Sequence, residues 1–122
     1  MIVTLLAVAA AAGSVARYLV GKAIQGRLGT AFPWGTFVVN ISGSFILGLI
    51  VGLVTHYGVS EDVRTVLGVG LMGGYTTFST WGVETMGLVE EAAFVPAALN
   101  AVGSVLAGML TGAAGLALPL LW

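Results

Sequence analysis

A run of glycines and hydroxyl side chains interrupts a stretch that otherwise has the composition of a membrane span. Residues 65–83 carry no charged side chain, and their centre reads Gly73-Gly74-Tyr75-Thr76-Thr77-Phe78-Ser79-Thr80. Hydrocarbon does not tolerate irregular backbone or unpaired polar groups unless protein or a water-filled cavity surrounds them. Because weak helix formers and polar groups coincide near the middle of this span, the sequence predicts a helix broken there for binding or conduction. The pattern is typical of a transport protein.

The composition of the 122-residue chain excludes a soluble globular domain. Hydrophobic residues make up 58% and charged residues 7%, with a mean hydropathy of +1.08, whereas soluble domains average about 25% charged residues. A helical span needs about 20 mostly apolar residues, and charge-free intervals of sufficient length recur along the chain. We therefore predict an all-α membrane protein with a single transmembrane domain over 1–122. Its four predicted helices cover about 2–24, 34–55, 63–88 and 94–119.

Other classes of protein are disfavoured by what the sequence lacks. The absence of cysteine excludes disulfides and thiolate metal sites. A net charge of −1 gives no electrostatic footprint for nucleic acid, and no nucleophile–base pair or metal-ligand cluster suggests an enzyme. The N-terminus lacks the basic region of a signal peptide, so we expect an uncleaved first helix.

The basic residues indicate the topology only weakly. Arg17, Lys22 and Arg27 flank the first connection, while Arg64 lies on the opposite side of the predicted membrane. Orientation follows the Lys/Arg bias, and three against one is a small bias. A single fixed orientation and insertion in both orientations both remain open at this point.

Two predicted helices carry a stripe of small and polar residues at four-residue spacing. The stripe is Thr36, Asn40, Ser44, Gly48 and Gly52 in the second helix, and Asn100, Ser104, Gly108 and Gly112 in the fourth. Positions i and i+4 share a helix face. The glycines are typical of close helix packing, whereas an asparagine facing lipid is costly without a partner. Both asparagines are therefore predicted to have a functional or network role.

The two stripes also match each other. The pattern that begins at Asn40 recurs at Asn100 after an offset of 60 residues. Internal duplication and convergence on common packing residues both explain the match. Because four helices leave little interior for a pathway, we also expect an oligomer, with a two-fold dimer as the commonest arrangement.

Several motifs together identify a family resemblance. They are Gly13-Ser14-Val15-Ala16-Arg17-Tyr18, Gly35-Thr36-Phe37-Val38-Val39-Asn40, Gly43-Ser44-Phe45 with Gly48, and the run from Gly73 to Thr80. With these motifs in this order within a four-span chain, the sequence resembles the small fluoride channels of the Fluc (CrcB) family along nearly its whole length.

The resemblance implies an antiparallel, dual-topology homodimer in the cell membrane, with two separate fluoride pores. It further implies one structural sodium ion at the dimer centre, held by the backbone carbonyls of Gly73 and Thr76. A hard cation prefers oxygen ligands, and an unwound segment exposes carbonyls, so we interpret the glycines as residues needed for backbone shape. Such channels release cytoplasmic fluoride passively and so relieve its toxicity.

The resemblance also assigns the pore residues of this chain. They are Asn40, Phe78, Ser79, Thr80, Trp81, Asn100 and Ser104, with Arg17 near the entrance. Fluoride is a strongly hydrated hydrogen-bond acceptor, so a pore must replace water with donors, while fixed cations inside would hold the ion too tightly. The edges of aromatic rings carry partial positive charge, which lets Phe78 and Trp81 face an anion without binding it fast.

The chain departs from the family pattern at three positions. Trp81 replaces the more usual phenylalanine, and its indole N–H could donate to fluoride or its bulk could narrow the path. Asn100 stands where tyrosine is often found, and Gly108 where some members have serine. Arg17 either attracts anions or anchors its helix at the interface.

Two other functions compete with the channel. A dual-topology, proton-coupled exporter of the small multidrug type has similar length and four spans, but it needs a membrane-embedded carboxylate. The nearest candidate, Glu84, lies towards one end of the third predicted helix. A non-transporting assembly subunit would account for the packing glycines but would leave the run from Gly73 to Thr80 without a purpose.

Overall fold

The computed structural model describes residues 1–121, which form helices and short connections without a β-strand. The helices are α1 (Ile2–Leu28), α2 (Trp34–Tyr57), α3 (61–75), α4 (Ser79–Glu90) and α5 (Phe94–Leu121). Helix α3 consists of Glu61–Val63, a π-helical stretch over Arg64–Met72, and Gly73–Tyr75. Helix α5 contains a π-helical turn over Leu99–Gly103 and ends in a 3-10 turn over Leu118–Leu121. The predicted all-α class is confirmed.

Within residues 1–121, three helices are long and apolar enough to cross a membrane. These are α1 with 27 residues, α2 with 24 and α5 with 28, at the places predicted for the first, second and fourth spans. Helix α1 continues beyond the predicted residue 24 because Gln25 fastens the connection that follows it. The Gln25 side chain donates to the Phe32 carbonyl at 3.0 Å and accepts the Gly35 N–H at 2.9 Å.

The segment predicted as the third span is two helices, α3 and α4, that follow one another along α2. Their contacts with α2 progress steadily towards its N-terminus: Gly68 with Leu47, Tyr75 with Ser42, Thr77 with Asn40, and Glu84 with Thr36. The chain therefore runs antiparallel to α2 before and after the interruption. A fourth, interrupted membrane crossing stays a prediction.

Glycines bring the helices into backbone contact. A Cβ atom added at Gly48 of α2 would lie 2.1 Å from the Gly112 carbonyl oxygen of α5. One added at Gly13 of α1 would lie 2.1 Å from the Leu71 carbonyl oxygen of α3. Only a residue without a Cβ allows such approaches, so the packing role predicted for the glycine ends of the stripes is confirmed at Gly48 and at Gly52, where an added Cβ would lie 2.7 Å from the Leu116 carbonyl oxygen. At Gly112 an added Cβ would make only an ordinary contact, 3.5 Å from the Ser44 carbonyl oxygen.

The buried apolar core lies immediately before the interruption between α3 and α4. Val39, Met72 and Tyr75 form it, and the partly buried side chains around them include residues of α1, α2 and α3. These side chains pack the end of α3 against α1 and α2.

Candidate functional site

The backbone between α3 and α4 leaves helical geometry after Tyr75, and Phe78 again has helical torsions, with φ −92° and ψ −40°. Helix α3 ends at Tyr75, Thr76 is extended with φ −79° and ψ 160°, and α4 begins at Ser79. Gly73, by contrast, has helical torsions, with φ −62° and ψ −37°. The interpretation that the glycines are needed for backbone shape is therefore wrong for Gly73, and Gly74 also lies within the regular helical end of α3.

The two glycines before the interruption differ in their surroundings. A Cβ added at Gly74 would lie 2.1 Å from the Ala10 carbonyl oxygen, so this glycine permits α3 to pack on α1. A Cβ added at Gly73 would meet no atom within 4 Å among the described residues. Nothing in the described part of the chain therefore requires glycine at position 73.

Asn40 of α2 binds the backbone of the interruption with both ends of its carboxamide. Its Nδ2 donates to the Thr77 carbonyl at 2.8 Å, and its Oδ1 accepts the Thr77 N–H at 2.8 Å. An interrupted helix leaves backbone donors and acceptors without helical partners. The Asn40 side chain satisfies two of them and thereby fixes the course of the chain at Thr77.

Helix α1 contributes further donors to the same segment. Arg17 Nη1 donates to the Thr76 carbonyl at 3.1 Å, and Ser14 Oγ lies 3.4 Å from the Gly74 carbonyl oxygen. The sequence predicts Arg17 near a pore entrance, and the structure brings its guanidinium to the interruption itself. This bond to the Thr76 carbonyl does not fit the alternative of anchoring at the membrane interface, and the attraction of anions stays a prediction.

The hydroxyl groups after the interruption bind one another. Thr77 Oγ1 donates to Thr80 Oγ1 at 2.9 Å and accepts the Thr80 N–H at 3.3 Å. Thr77 thus caps the first turn of α4, as hydroxyl side chains commonly do at helix N-termini. Ser79 and Thr80 are exposed.

Four of the predicted pore residues line one cavity of about 310 Å³, which we call the central groove. Its lining residues are Asn40, Ser44, Thr77, Phe78, Trp81, Ser104, Val105, Gly108 and Met109. The rings of Phe78 and Trp81 lie 4.9 Å apart between centroids at 40°. Phe78 is 79% exposed, so the groove is open on that side.

Arg17 and Thr80 line a second cavity of about 290 Å³, which we call the arginine pocket. Ser14, Thr36 and Thr77 also line it. Six of the predicted site residues thus divide between two cavities, and Thr77 is the residue common to both. Ser79 is among the described lining residues of neither cavity.

Asn100 lies outside both cavities and is 0% exposed. Its Nδ2 donates to Thr85 Oγ1 at 2.9 Å, and its Oδ1 accepts a hydrogen bond from Ser104 Oγ at 3.1 Å. Its backbone carbonyl accepts the Trp81 indole N–H at 2.7 Å. Of the predicted donors, Asn100 and the Trp81 N–H therefore bind other parts of this chain.

The backbone carbonyl of Gly73 has no backbone N–H donor among residues 1–121. The N–H that would reach it in a continuous helix belongs to Thr77 and donates to Asn40 instead. The described residues contain no group of three or more His, Cys, Asp or Glu side chains placed to hold a metal ion. The sodium ion expected at Gly73 and Thr76 stays a prediction.

Glu84 of α4 faces a third cavity of about 450 Å³, which Lys22, Gln25 and Glu91 also line. Its Oε1 accepts a hydrogen bond from Thr36 Oγ1 at 2.8 Å. Its Oε2 is buried and has no hydrogen-bond partner in the described part of the chain.

Comparison with known proteins decides the family. A family model described as CrcB-like protein, Camphor Resistance (CrcB), matches residues 4–116. The chain belongs to the CrcB family. The fluoride-specific ion channel FluC 1 of Symbiobacterium thermophilum is 49% identical over 116 residues, which cover 93% of this chain and 94% of the relative. FluC 1 of Frankia casuarinae is 45% identical, covering 89% and 88%, and FluC of Sphingopyxis alaskensis is 44% identical, covering 91% and 89%. The resemblance inferred from the sequence motifs is confirmed.

Three residues of this CrcB protein belong to the site although the sequence did not predict them as site residues. Thr77 borders two cavities and is bound by Asn40, Thr85 is bound by Asn100, and Ser44 lines the central groove. Two of the three belong to sequence patterns that could have identified them. Ser44 belongs to the stripe of α2, and Thr77 belongs to the run from Gly73 to Thr80, whereas nothing in the sequence distinguishes Thr85.

Proposed function

We propose that this CrcB protein is a passive, fluoride-selective channel that releases cytoplasmic fluoride across the cell membrane and so relieves its toxicity. One observation of the site carries the proposal. The central groove brings amide, hydroxyl and aromatic groups together, and none of the described residues that line it is charged. The relatives reported above bear the name fluoride-specific ion channel, which agrees with the expectation that the chain is not an enzyme.

The chemistry of the groove suits a small, strongly hydrated anion. Asn40 Nδ2 has a second hydrogen beside the one donated to the Thr77 carbonyl, and this hydrogen can replace water around fluoride. The Ser104 O–H, by contrast, is donated to Asn100 Oδ1. The adjacent rings of Phe78 and Trp81 present polarised C–H edges. Without a fixed cation in the groove, binding is weak enough for the ion to leave again. Ser79, Thr80 and Arg17 would extend the path towards the arginine pocket.

The proposed active form is a homodimer whose two subunits insert antiparallel, with α3 and α4 together forming a fourth, interrupted span. The open side of the groove at Phe78 requires a second wall, and a partner subunit supplies it in this proposal. The unoccupied space at Gly73 offers room for a close approach by a second copy. The three-to-one distribution of basic residues gives little preference for one orientation.

We further propose that a sodium ion joins the two subunits at the interruption. The carbonyl of Gly73 is free of backbone donors within residues 1–121, and that of Thr76 has a second lone pair beside the one that accepts Arg17. Two oxygens from each subunit would give a hard cation four ligands of the type it prefers. The ion would supply a fixed positive charge between the subunits.

Fluoride efflux from liposomes tests the proposed function. Purified protein should release fluoride down its gradient without a proton gradient, and much faster than it releases chloride. Protein-free liposomes and liposomes loaded with chloride serve as controls. Equal rates for the two halides, or fluoride release only under a proton gradient, would reject a passive fluoride-selective channel.

Cysteine labelling tests the antiparallel assembly separately. The chain has no native cysteine, so a single cysteine added at the N-terminus can be labelled with an impermeant reagent. Dual topology predicts labelling in intact cells and also in inverted vesicles. Labelling from one side alone would reject the antiparallel dimer while leaving fluoride conduction to be judged by the flux experiment.

A proton-coupled exporter is the second candidate, and the buried Oε2 of Glu84 is the observation that favours it. Such an exporter requires this carboxylate to take up and release protons. In Glu84→Gln protein, an exporter would lose proton-driven transport. A passive channel would instead conduct fluoride whether or not a proton gradient is present.

A further inference from the structure

Trp81 and Asn100, two positions at which the chain departs from the family pattern, join helices α4 and α5 through hydrogen bonds. Trp81 of α4 donates its indole N–H to the backbone carbonyl of Asn100 in α5, at 2.7 Å. Asn100 in turn places its Nδ2 on Thr85 Oγ1 at 2.9 Å, with the Trp81 carbonyl at 3.5 Å. Bonds therefore run in both directions between α4 and α5.

Every polar atom of the Asn100 side chain has a partner in this chain. The amide nitrogen faces α4, and Oδ1 accepts a hydrogen bond from Ser104 Oγ at 3.1 Å. The residue is 0% exposed and lines neither the central groove nor the arginine pocket. A buried amide whose donors and acceptor are satisfied is costly to disrupt, so Asn100 is fixed in place.

The partners of Asn100, unlike Asn100 itself, face the central groove. The Trp81 ring lines the groove and lies against Phe78, and Ser104 lines it from α5. Asn100 belongs to the π-helical turn Leu99–Gly103, a type of local widening that often accompanies functional sites. The turn thus carries the contacts that set the position of the groove wall.

We propose that Asn100 is a positioning residue that holds the Trp81 ring and the Ser104 hydroxyl against the groove, and that it does not itself bind the ion. The inference rests on the proposed function, because it concerns the wall of the proposed fluoride path. The Trp81 indole N–H donates to the Asn100 carbonyl in α5 and not to the ion. Tryptophan therefore affects the path through the position and size of its ring. Asn100 affects conduction only through these two neighbours.

The Trp81 indole N–H resonance tests the proposal without any measurement of transport. In Trp34→Phe, Trp122→Phe protein, ¹⁵N-labelled and in lipid nanodiscs, Trp81 is the only indole. Because fluoride in the groove would lie near the Trp81 ring, we expect only a small change of its N–H signal when sodium fluoride replaces sodium chloride, with the slow exchange of a carbonyl-bound N–H retained. A large saturable shift with fluoride would overturn the proposal, because it would make the indole N–H an ion ligand.

Substitution of Asn100 provides the second arm of the experiment. Asn100→Leu keeps the number and branching of the side-chain heavy atoms and removes the amide that binds α4, while the backbone carbonyl that accepts the indole N–H remains. Because the loss of the amide loosens α4 from α5, we expect the Trp81 N–H to shift and its exchange with water to quicken by about tenfold. Thr85→Val, which removes the partner of the amide, should act in the same direction. Thr111→Val is the matched control, since the Thr111 hydroxyl binds the α5 backbone and lies outside this network. An N–H signal unmoved by both Asn100→Leu and Thr85→Val would overturn the proposal.

Flux measurements then connect the network to conduction. If Asn100 acts only through Trp81 and Ser104, Asn100→Leu should lower flux in the unsubstituted protein but cause no further loss in a Trp81→Ala, Ser104→Ala background, where both neighbours are already removed. A further loss in that background would show that Asn100 contributes independently and would contradict the proposal. If the unsubstituted protein itself passes no fluoride, the proposed function fails, while the resonance measurements still decide whether Asn100 positions Trp81.

Discussion

Asn40 and Asn100 begin matching stripes 60 residues apart in sequence, and the structure uses the two side chains differently. Asn40 is partly exposed in the central groove and binds the backbone of the interruption, while Asn100 is fully buried and binds α4 beyond it. Both amides therefore fasten the α3–α4 segment to a long helix. The comparison teaches that a repeated polar position can predict a network without predicting which member faces the ion.

The largest effect is expected on the Asn40 side of the comparison. Asn40→Asp removes the donor to the Thr77 carbonyl and adds a negative charge beside the groove, so fluoride flux should fall. Two like charges about 4 Å apart repel by about 4 kcal/mol at an effective dielectric constant of about 20, so a carboxylate beside the path should slow fluoride roughly a hundredfold or more. Liposome efflux measures it. Asn40→Ala, which removes both bonds to the Thr77 backbone without adding charge, should lose less flux. Normal flux in Asn40→Asp would show that the path lies elsewhere.

A change at Gly48 tests how the two stripe-bearing helices are held together. In Gly48→Ala the new methyl group would overlap the Gly112 carbonyl oxygen, and overpacking of this kind costs about 1–3 kcal/mol. Thermal unfolding in detergent should show the loss. Gly108→Ala on the same interface is the matched control, because its methyl group would lie 3.6 Å from Ser44 Oγ, an ordinary contact. Equal stability of the two variants would contradict the backbone contact.

Phe78→Ile tests whether the aromatic ring on the Asn40 side of the groove contributes to fluoride conduction. The substitution keeps apolar bulk and removes the polarised ring edge, which is worth about 0.5–1.5 kcal/mol, so flux should fall roughly two- to tenfold. Phe94→Ile removes another exposed ring, at the start of α5, and should conduct normally. If Phe78→Ile conducts as well as this control, Phe78 only fills space.

The smallest effect on flux is expected for Trp81→Phe, on the Asn100 side. The variant loses the bond to the Asn100 carbonyl, so its stability should fall by about 1 kcal/mol. Its flux should stay normal or rise by up to about threefold, because a smaller ring widens the path. A clear loss of flux at unchanged stability would instead mean that the indole N–H serves the ion.

The interruption itself could be predicted from the sequence because its cause is local. Glycines and hydroxyl residues within an uncharged stretch identify the place where the helix ends, and the structure ends α3 at Tyr75. The partners that satisfy the interruption were not predictable in this way. Arg17 and Asn40 reach it from 59 and 37 residues away, and neither periodicity nor composition contains such pairings.

The glycines show a second limit of sequence analysis. A glycine signals either an unusual backbone conformation or a close approach, and both follow from the missing Cβ. Gly74 is present for close approach to Ala10, and Gly73 has helical torsions without a neighbour among the described residues. Likewise, the identity of Asn100 indicates a donor, and only its burial shows that the donor is already bound.

The two hydrogen bonds between the Asn40 side chain and the Thr77 backbone have a consequence for the temperature dependence of conduction. Because Asn40 binds both backbone groups of Thr77, the extended turn is ordered during folding and does not have to be ordered when an ion arrives. Dipoles fixed in advance need little reorganisation, so an ion crossing this region should meet mainly the barrier of exchanging water for protein donors. We therefore expect a shallow activation enthalpy close to that of diffusion in water, unlike the steep temperature dependence of a carrier that reorders its backbone in every cycle.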